Sequence, residues 1–82
     1  MNRNEVFTKL EEIFKDLLDD DAFSLSEDDS AKTIKDWDSL FHITLIASVE
    51  EEFGIRIATT DIADAKSISV LIDVIEKELS KA

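Results

Sequence analysis

A small all-α bundle is what this sequence points to: three main helices, one short one, and a long loop between the first two. Three features carry that conclusion. Apolar residues recur at helical spacing in three separate stretches. There is no Pro and a single Gly to interrupt them, and both disfavour helix interiors. One short alternating segment, Ile55-Arg56-Ile57, has the look of a strand, but no second strand stands ready to pair with it. The 82 residues suit one domain, 1–82, without linker or internal repeat.

The first helix is predicted over about residues 3 to 18. Val6, Leu10, Ile13, Phe14 and Leu17 share one face, and Asn2 with Glu5 forms a capping-box pattern at its start. Residues 19–37 follow as an acidic, Ser-rich loop. Its spaced apolar residues Phe23, Leu25, Ile34 and Trp37 are expected to pin it to the core, with Trp37 as the anchor. Asp38 is a good N-cap for the second helix. There Leu40, Ile43, Ile46, Ala47 and Phe53 are expected to form the buried stripe, widened by Leu45 and Val49. Gly54 ends that helix. Thr59 or Thr60 is expected to cap a short helix over 61–65. Ser67 is expected to cap the last helix, with Ile68, Leu71, Ile72, Ile75 and Leu79 facing inward.

Composition excludes several functions. Nine Lys and Arg against 20 Asp and Glu leave a net charge of −11. Nucleic acid and anionic membranes, which are bound through Lys and Arg, are poor partners for such a chain. A basic protein surface is the natural one, although the charge also serves plain solubility. No apolar run approaches the roughly 20 residues that cross a bilayer, and the N-terminal stretch lacks the apolar core of a secretory signal. A soluble, cytoplasmic monomer is expected, free-standing to judge from its initiating Met and polar ends. Without Cys, thiolate chemistry and disulfides are absent. The acidic run from Asp19 fails the calcium-loop pattern, since Ser24 and Ser30 fall at positions six and twelve. One His, His42, three residues after Ser39, is too little for a catalytic site, so no catalytic residue and no metal ligand is assigned. His42 itself is expected at the surface.

The informative segment is Asp36-Trp37-Asp38-Ser39-Leu40. Ser39 follows an N-cap at the head of the strongest helix, so its hydroxyl should be exposed beside free N–H groups and the positive end of the macrodipole. A phosphate attached there would be stabilised. An ordinary helix-start serine would occupy the same place.

Asp38-Ser39-Leu40, followed by the apolar rhythm to Glu51-Glu52-Phe53, then Ile55-Arg56-Ile57 and a last amphipathic helix, resembles the acyl carrier proteins over nearly the whole chain. The resemblance implies that a phosphopantetheinyl transferase moves 4′-phosphopantetheine from coenzyme A onto Ser39, with Asp38 and Leu40 completing the recognition motif. The arm's thiol would then carry acyl groups to partner enzymes with basic docking surfaces, acyl-transferring or condensing, in fatty acid, polyketide or related specialised biosynthesis. The carrier itself would not catalyse. The analogy also implies an acyl pocket among Leu45, Ile46, Ile57, Ile62 and Ile68, and a docking face that includes Phe41, Thr44, Glu50 and Glu51. Phe41 and Thr44 stand where carriers of fatty acid synthesis are usually acidic, which leaves a dedicated partner open. A discrete aminoacyl carrier of the D-alanyl type, or an acidic interaction module whose Ser39 is never modified, are the alternatives.

Overall fold

The computed structural model describes residues 2–81 and contains four helices: α1 (Arg3–Leu18), α2 (Ser39–Phe53), α3 (Thr59–Asp64) and α4 (Ile68–Ser80). The α1 packs against both α2 and α4. Among the described residues there is no strand. Ile55–Ile57 is plain connector, and Ser30 and Ser67 form one isolated bridge.

Each helix starts for a local reason. At α1 the capping box is complete: the Asn2 side chain accepts from the Glu5 N–H, and the Glu5 carboxylate accepts from the Asn2 N–H. These bonds satisfy donors that have no partner within the helix. Asp38 caps α2 by accepting from the Phe41 N–H at 2.8 Å. Ser67 caps α4 through the Val70 N–H, at a longer 3.4 Å. The α2 stops at Gly54, whose φ of 65° is left-handed, a conformation that costs glycine nothing. The α3 departs from the sequence expectation. It begins two residues earlier, at Thr59, and is preceded by Ala58, so neither threonine caps it with its side chain.

One core runs through the bundle. Val6, Leu10 and Phe14 of α1 meet Leu45 and Val49 of α2 and Ile68, Leu71, Ile72 and Ile75 of α4, all fully buried. Val74 joins the α4 face, and Leu79 lies at its margin. The stripe expected on α2 is rotated. His42, Leu45, Ile46, Val49 and Phe53 are buried, whereas Leu40, Ile43 and Ala47 point outward, the first two 75% and 66% exposed. The first three turns of α2 carry no Asp, Glu, Lys or Arg, so their sequence gives no charged face to mark the outside.

The long loop is held as expected. Leu25, Ile34 and Trp37 are buried and Phe23 partly so. The ring of Phe14 is the hub, with Phe23, Trp37 and Phe41 at centroid distances of 6.1, 5.4 and 5.7 Å. The backbone adds three ties. The Leu25 N–H donates to the Glu11 carboxylate, Ala31 N–H to the Lys66 carbonyl, and Ile68 N–H to the Asp29 carbonyl. These link the loop to α1 and to the start of α4.

Cations are scarce and shared. The Arg3 guanidinium reaches Glu27 of the loop and Asp73 and Glu76 of α4 at 2.7–3.1 Å. Its hydrogen bond to Asp73 is the main cause holding its pKa above the ordinary arginine value. Lys9 joins α1 to Glu52 of α2, and Lys77 joins α4 to Asp61 of α3.

Candidate functional site

The candidate site is the head of α2. The extended backbone at Asp38 turns into the helix, and Ser39 becomes its first residue. Asp38, Ser39 and Leu40 are all exposed. The Asp38 carboxylate takes the Phe41 N–H, and its carbonyl takes the His42 N–H. The N–H groups of Ser39 and Leu40, in the first turn, have no acceptor within the helix and face outward with the positive end of the dipole. Beside Ser39 lies a cavity of about 140 Å³ lined by Ala31, Trp37, Asp38, Ser39, His42 and Lys66. A phosphate on the Ser39 oxygen would therefore meet two backbone donors and have Lys66 in the neighbouring wall.

The wall behind Ser39 is firmly built. Trp37 is buried, and its indole N–H donates to His42 Nδ1 at 3.0 Å. His42 Nε2 lies 2.7 Å from the Ile62 carbonyl oxygen. The surface position expected for His42 is thus wrong: it is 6% exposed. One helical turn after Asp38, its Cα falls on the inward face of α2, and both ring nitrogens find partners there. Sequence reasoning missed this because a lone histidine near a helix start carries no burial signal. Trp37 five residues earlier was the available hint.

The other expected site residues divide. Thr44 and Glu51 are exposed along α2, and the Thr44 hydroxyl donates to the Leu40 carbonyl. Phe41 is half-buried on Phe14. Glu50 turns toward the connector, where its carboxylate accepts the Ile57 N–H at 2.8 Å. That bond ties down a carboxylate that otherwise sits unfavourably at the negative end of the α2 dipole. Leu45, Ile46, Ile57 and Ile68 are buried and Ile62 partly so, while the cavity beside Ser39 is lined by other residues. Among the described residues, no three His, Asp or Glu side chains gather as a metal site would require.

A four-helix bundle with an exposed serine at a helix head suits more than one class of protein. The comparisons say which. The chain is 31% identical over 80 residues to an acyl carrier protein of Thermotoga maritima, covering 95% of this chain and 96% of that protein. An acyl carrier protein of Petrotoga mobilis is 29% identical, over 98% of this chain and 94% of that one. Among solved structures, the holo acyl carrier protein of Geobacter metallireducens superposes with a TM-score of 0.83 at 34% identity, covering 93% and 87% of the two chains. The crystal structure of a Thermotoga maritima acyl carrier protein gives 0.85 at 28% identity, covering 99% and 94%. No protein-family model matches. The chain belongs to the acyl carrier protein family, and its role is that of an acyl carrier.

Proposed function

We propose that Ser39 is the attachment point of 4′-phosphopantetheine, placed there from coenzyme A by a phosphopantetheinyl transferase. The observation that carries this is the exposed Ser39 at the head of α2, beside two outward N–H groups and a cavity with Lys66 in its wall. The Ser39 oxygen bonds to the phosphorus that bears pantetheine and loses its proton, while the pyrophosphate link of coenzyme A breaks and adenosine 3′,5′-bisphosphate leaves; the N–H groups of Ser39 and Leu40 face the charge that arrives. Bound, the group supplies a terminal thiol that holds an acyl group as a thioester, which answers the absence of Cys in the chain. The Geobacter relative's structure is of a holo form, in keeping with a prosthetic group.

The acyl chain is proposed to lodge where α3 meets α2, among Leu45, Ile46, Ile57, Ile62 and Ile68. The α3 is the shortest helix and contributes no fully buried residue, so moving it costs the least packing. Docking enzymes are proposed to approach along α2. The exposed surface there includes Leu40, Ile43, Thr44, Ala47 and Glu51, with Phe41 and Glu50 at its inner margin. Basic surfaces on the partners would complement the −11 charge. The apolar residues next to Ser39 favour a dedicated biosynthetic partner in the cytoplasm. The carrier itself performs no catalysis in this scheme.

Intact mass after incubation with coenzyme A, Mg²⁺ and a broad-specificity transferase tests the attachment. One phosphopantetheine added to the parent and none to Ser39→Ala is the expected result. A parent that several transferases leave unmodified would overturn it.

A further inference from the structure

The first turn of α2 holds a buried polar chain that the attachment chemistry does not use. The Trp37 indole N–H can only donate. His42 Nδ1, 3.0 Å away, is therefore the acceptor and carries no proton. Nε2 carries it instead and donates to the Ile62 carbonyl oxygen at 2.7 Å. The neutral imidazole satisfies both partners, and no buried side-chain polar atom is left without one among the described residues. Through one ring, three pieces are joined directly behind Ser39: the end of the long loop at Trp37, α2 at His42, and α3 at Ile62.

A proton added to Nδ1 would affect the two links differently. The bond from Nε2 to the carbonyl survives and gains charge assistance. At Nδ1, however, N–H would now face N–H, and the indole donor would lose its acceptor inside the core. The imidazole meets the indole edge to edge, with centroids 5.9 Å apart and planes inclined by 26°, so the buried indole edge and not solvent stands at Nδ1. The charged groups around the ring are Asp38 and Lys66, which share its cavity. The α3 carries Asp61, already engaged by Lys77 of α4, and Asp64. The α1 brings the ring of Phe14 against Trp37.

We propose that His42 is a proton-operated latch on the segment that presents Ser39. Neutral, it holds Trp37 and α3 together. Protonated, it keeps α3 and releases Trp37, so the end of the long loop loosens ahead of the rest of the bundle. Histidine is the side chain that ordinarily changes charge near neutrality, and this chain has one. The latch does not depend on Ser39 being modified, because its signals belong to the unmodified chain.

One Trp and one His make the test unambiguous. The indole N–H resonance and the His42 ring resonances are followed by NMR from pH 8 to 5.5, with melting temperatures over the same range. The indole signal should move, and exchange faster with solvent, at the same midpoint as the ring. The melting temperature should fall by about 4–8 °C as the pH drops toward that midpoint, with this contribution complete below it, the scale of one hydrogen bond in a domain of this size. Trp37→Phe and His42→Gln should each lose most of that fall, while the slope due to the many carboxylates stays common to all three proteins. A ring that takes up no proton between pH 8 and 5.5, an indole signal that stays fixed while the ring titrates, or a parent-like pH slope in both variants, overturns the proposal.

Discussion

The α4 and α2 lie in the same bundle and both carry apolar runs, yet α4 exposes one of its large apolar residues, Val70 at 38%, while α2 leaves two far more open. On α4, Ile68, Leu71, Ile72, Val74 and Ile75 all turn inward. On α2, Leu40 and Ile43 stand in solvent while a histidine takes the core position. The α4 interleaves Asp73, Glu76, Lys77 and Glu78 among its apolar residues, and these charges fix its rotation about its own axis. The α2 has no charge before Glu50, so its rotation is set from outside, by Phe14 and Trp37 and by the Ile62 carbonyl. A helix that works at its own surface has less reason to announce its buried face in its sequence.

The largest effect that would break this contrast is a matched pair of truncations. Leu71→Ala on α4 removes a fully buried side chain and should cost about 2–5 kcal/mol in urea unfolding. Ile43→Ala on α2 should stay within about 0.5 kcal/mol of the parent. Equal losses would mean that Ile43 is packed and the rotation assigned to α2 is wrong.

The two N-caps sharpen it next. Asp38 caps α2 with a charged acceptor at 2.8 Å, and Ser67 caps α4 with a hydroxyl at 3.4 Å. Asp38→Ala should cost about 1 kcal/mol, and Ser67→Ala measurably less. The reverse order would show that cap strength here is not governed by charge and distance.

Those predictions also mark how far the sequence could be read. The extent of α1, the Asp38 and Ser67 caps, the stop at Gly54 and the pinned loop follow from local rules, because capping, left-handed glycine and helical spacing act within a few residues. The exposed place of Ser39 at the head of α2 was legible for the same reason, whereas its reading as an attachment point came from the resemblance. The face of α2, the start of α3 and the burial of His42 depend on contacts across the fold: Trp37 and Ile62 are separate segments that meet only when the bundle closes. Glu50 was expected outward as a charge, but its bond to the Ile57 N–H depends on the path the connector takes.

Salt should act on both helices together and more weakly. The molecule measures 32 × 24 × 21 Å. At 0.01 M ionic strength the screening length of about 30 Å spans it, and at 0.15 M the length of about 8 Å does not. With 20 acidic residues against nine basic ones, relief of repulsion should outweigh the weakening of the half-exposed Arg3 bridges. The melting temperature should therefore rise between those two conditions, and a fall would mean the ion pairs dominate.

The smallest effect concerns the α3–α4 tie. The hydrogen bond to Asp61 raises the Lys77 pKa above the usual lysine value, against a smaller effect of desolvation. A raised folded-state value contributes stability that is complete below the ordinary lysine pKa of about 10.4 and is lost as pH climbs through the folded one. Lys77→Met should leave melting near pH 7 almost unchanged, as expected of an exposed pair, and flatten the decline above about pH 10.4. An unchanged alkaline decline would remove Lys77 from the account.

The outward turn of Leu40, Ile43 and Ala47 has a colloidal consequence. These residues lie at i, i+3 and i+7 on α2 and form an uncharged stripe that two copies could press together. Mutual repulsion between molecules of charge −11 keeps the stripes apart in dilute buffer and loses its reach as salt is added. The same ions that steady each molecule thus lower the barrier between neighbours. The acidic excess protects the apolar stripe from its own copies and leaves it open to an oppositely charged surface.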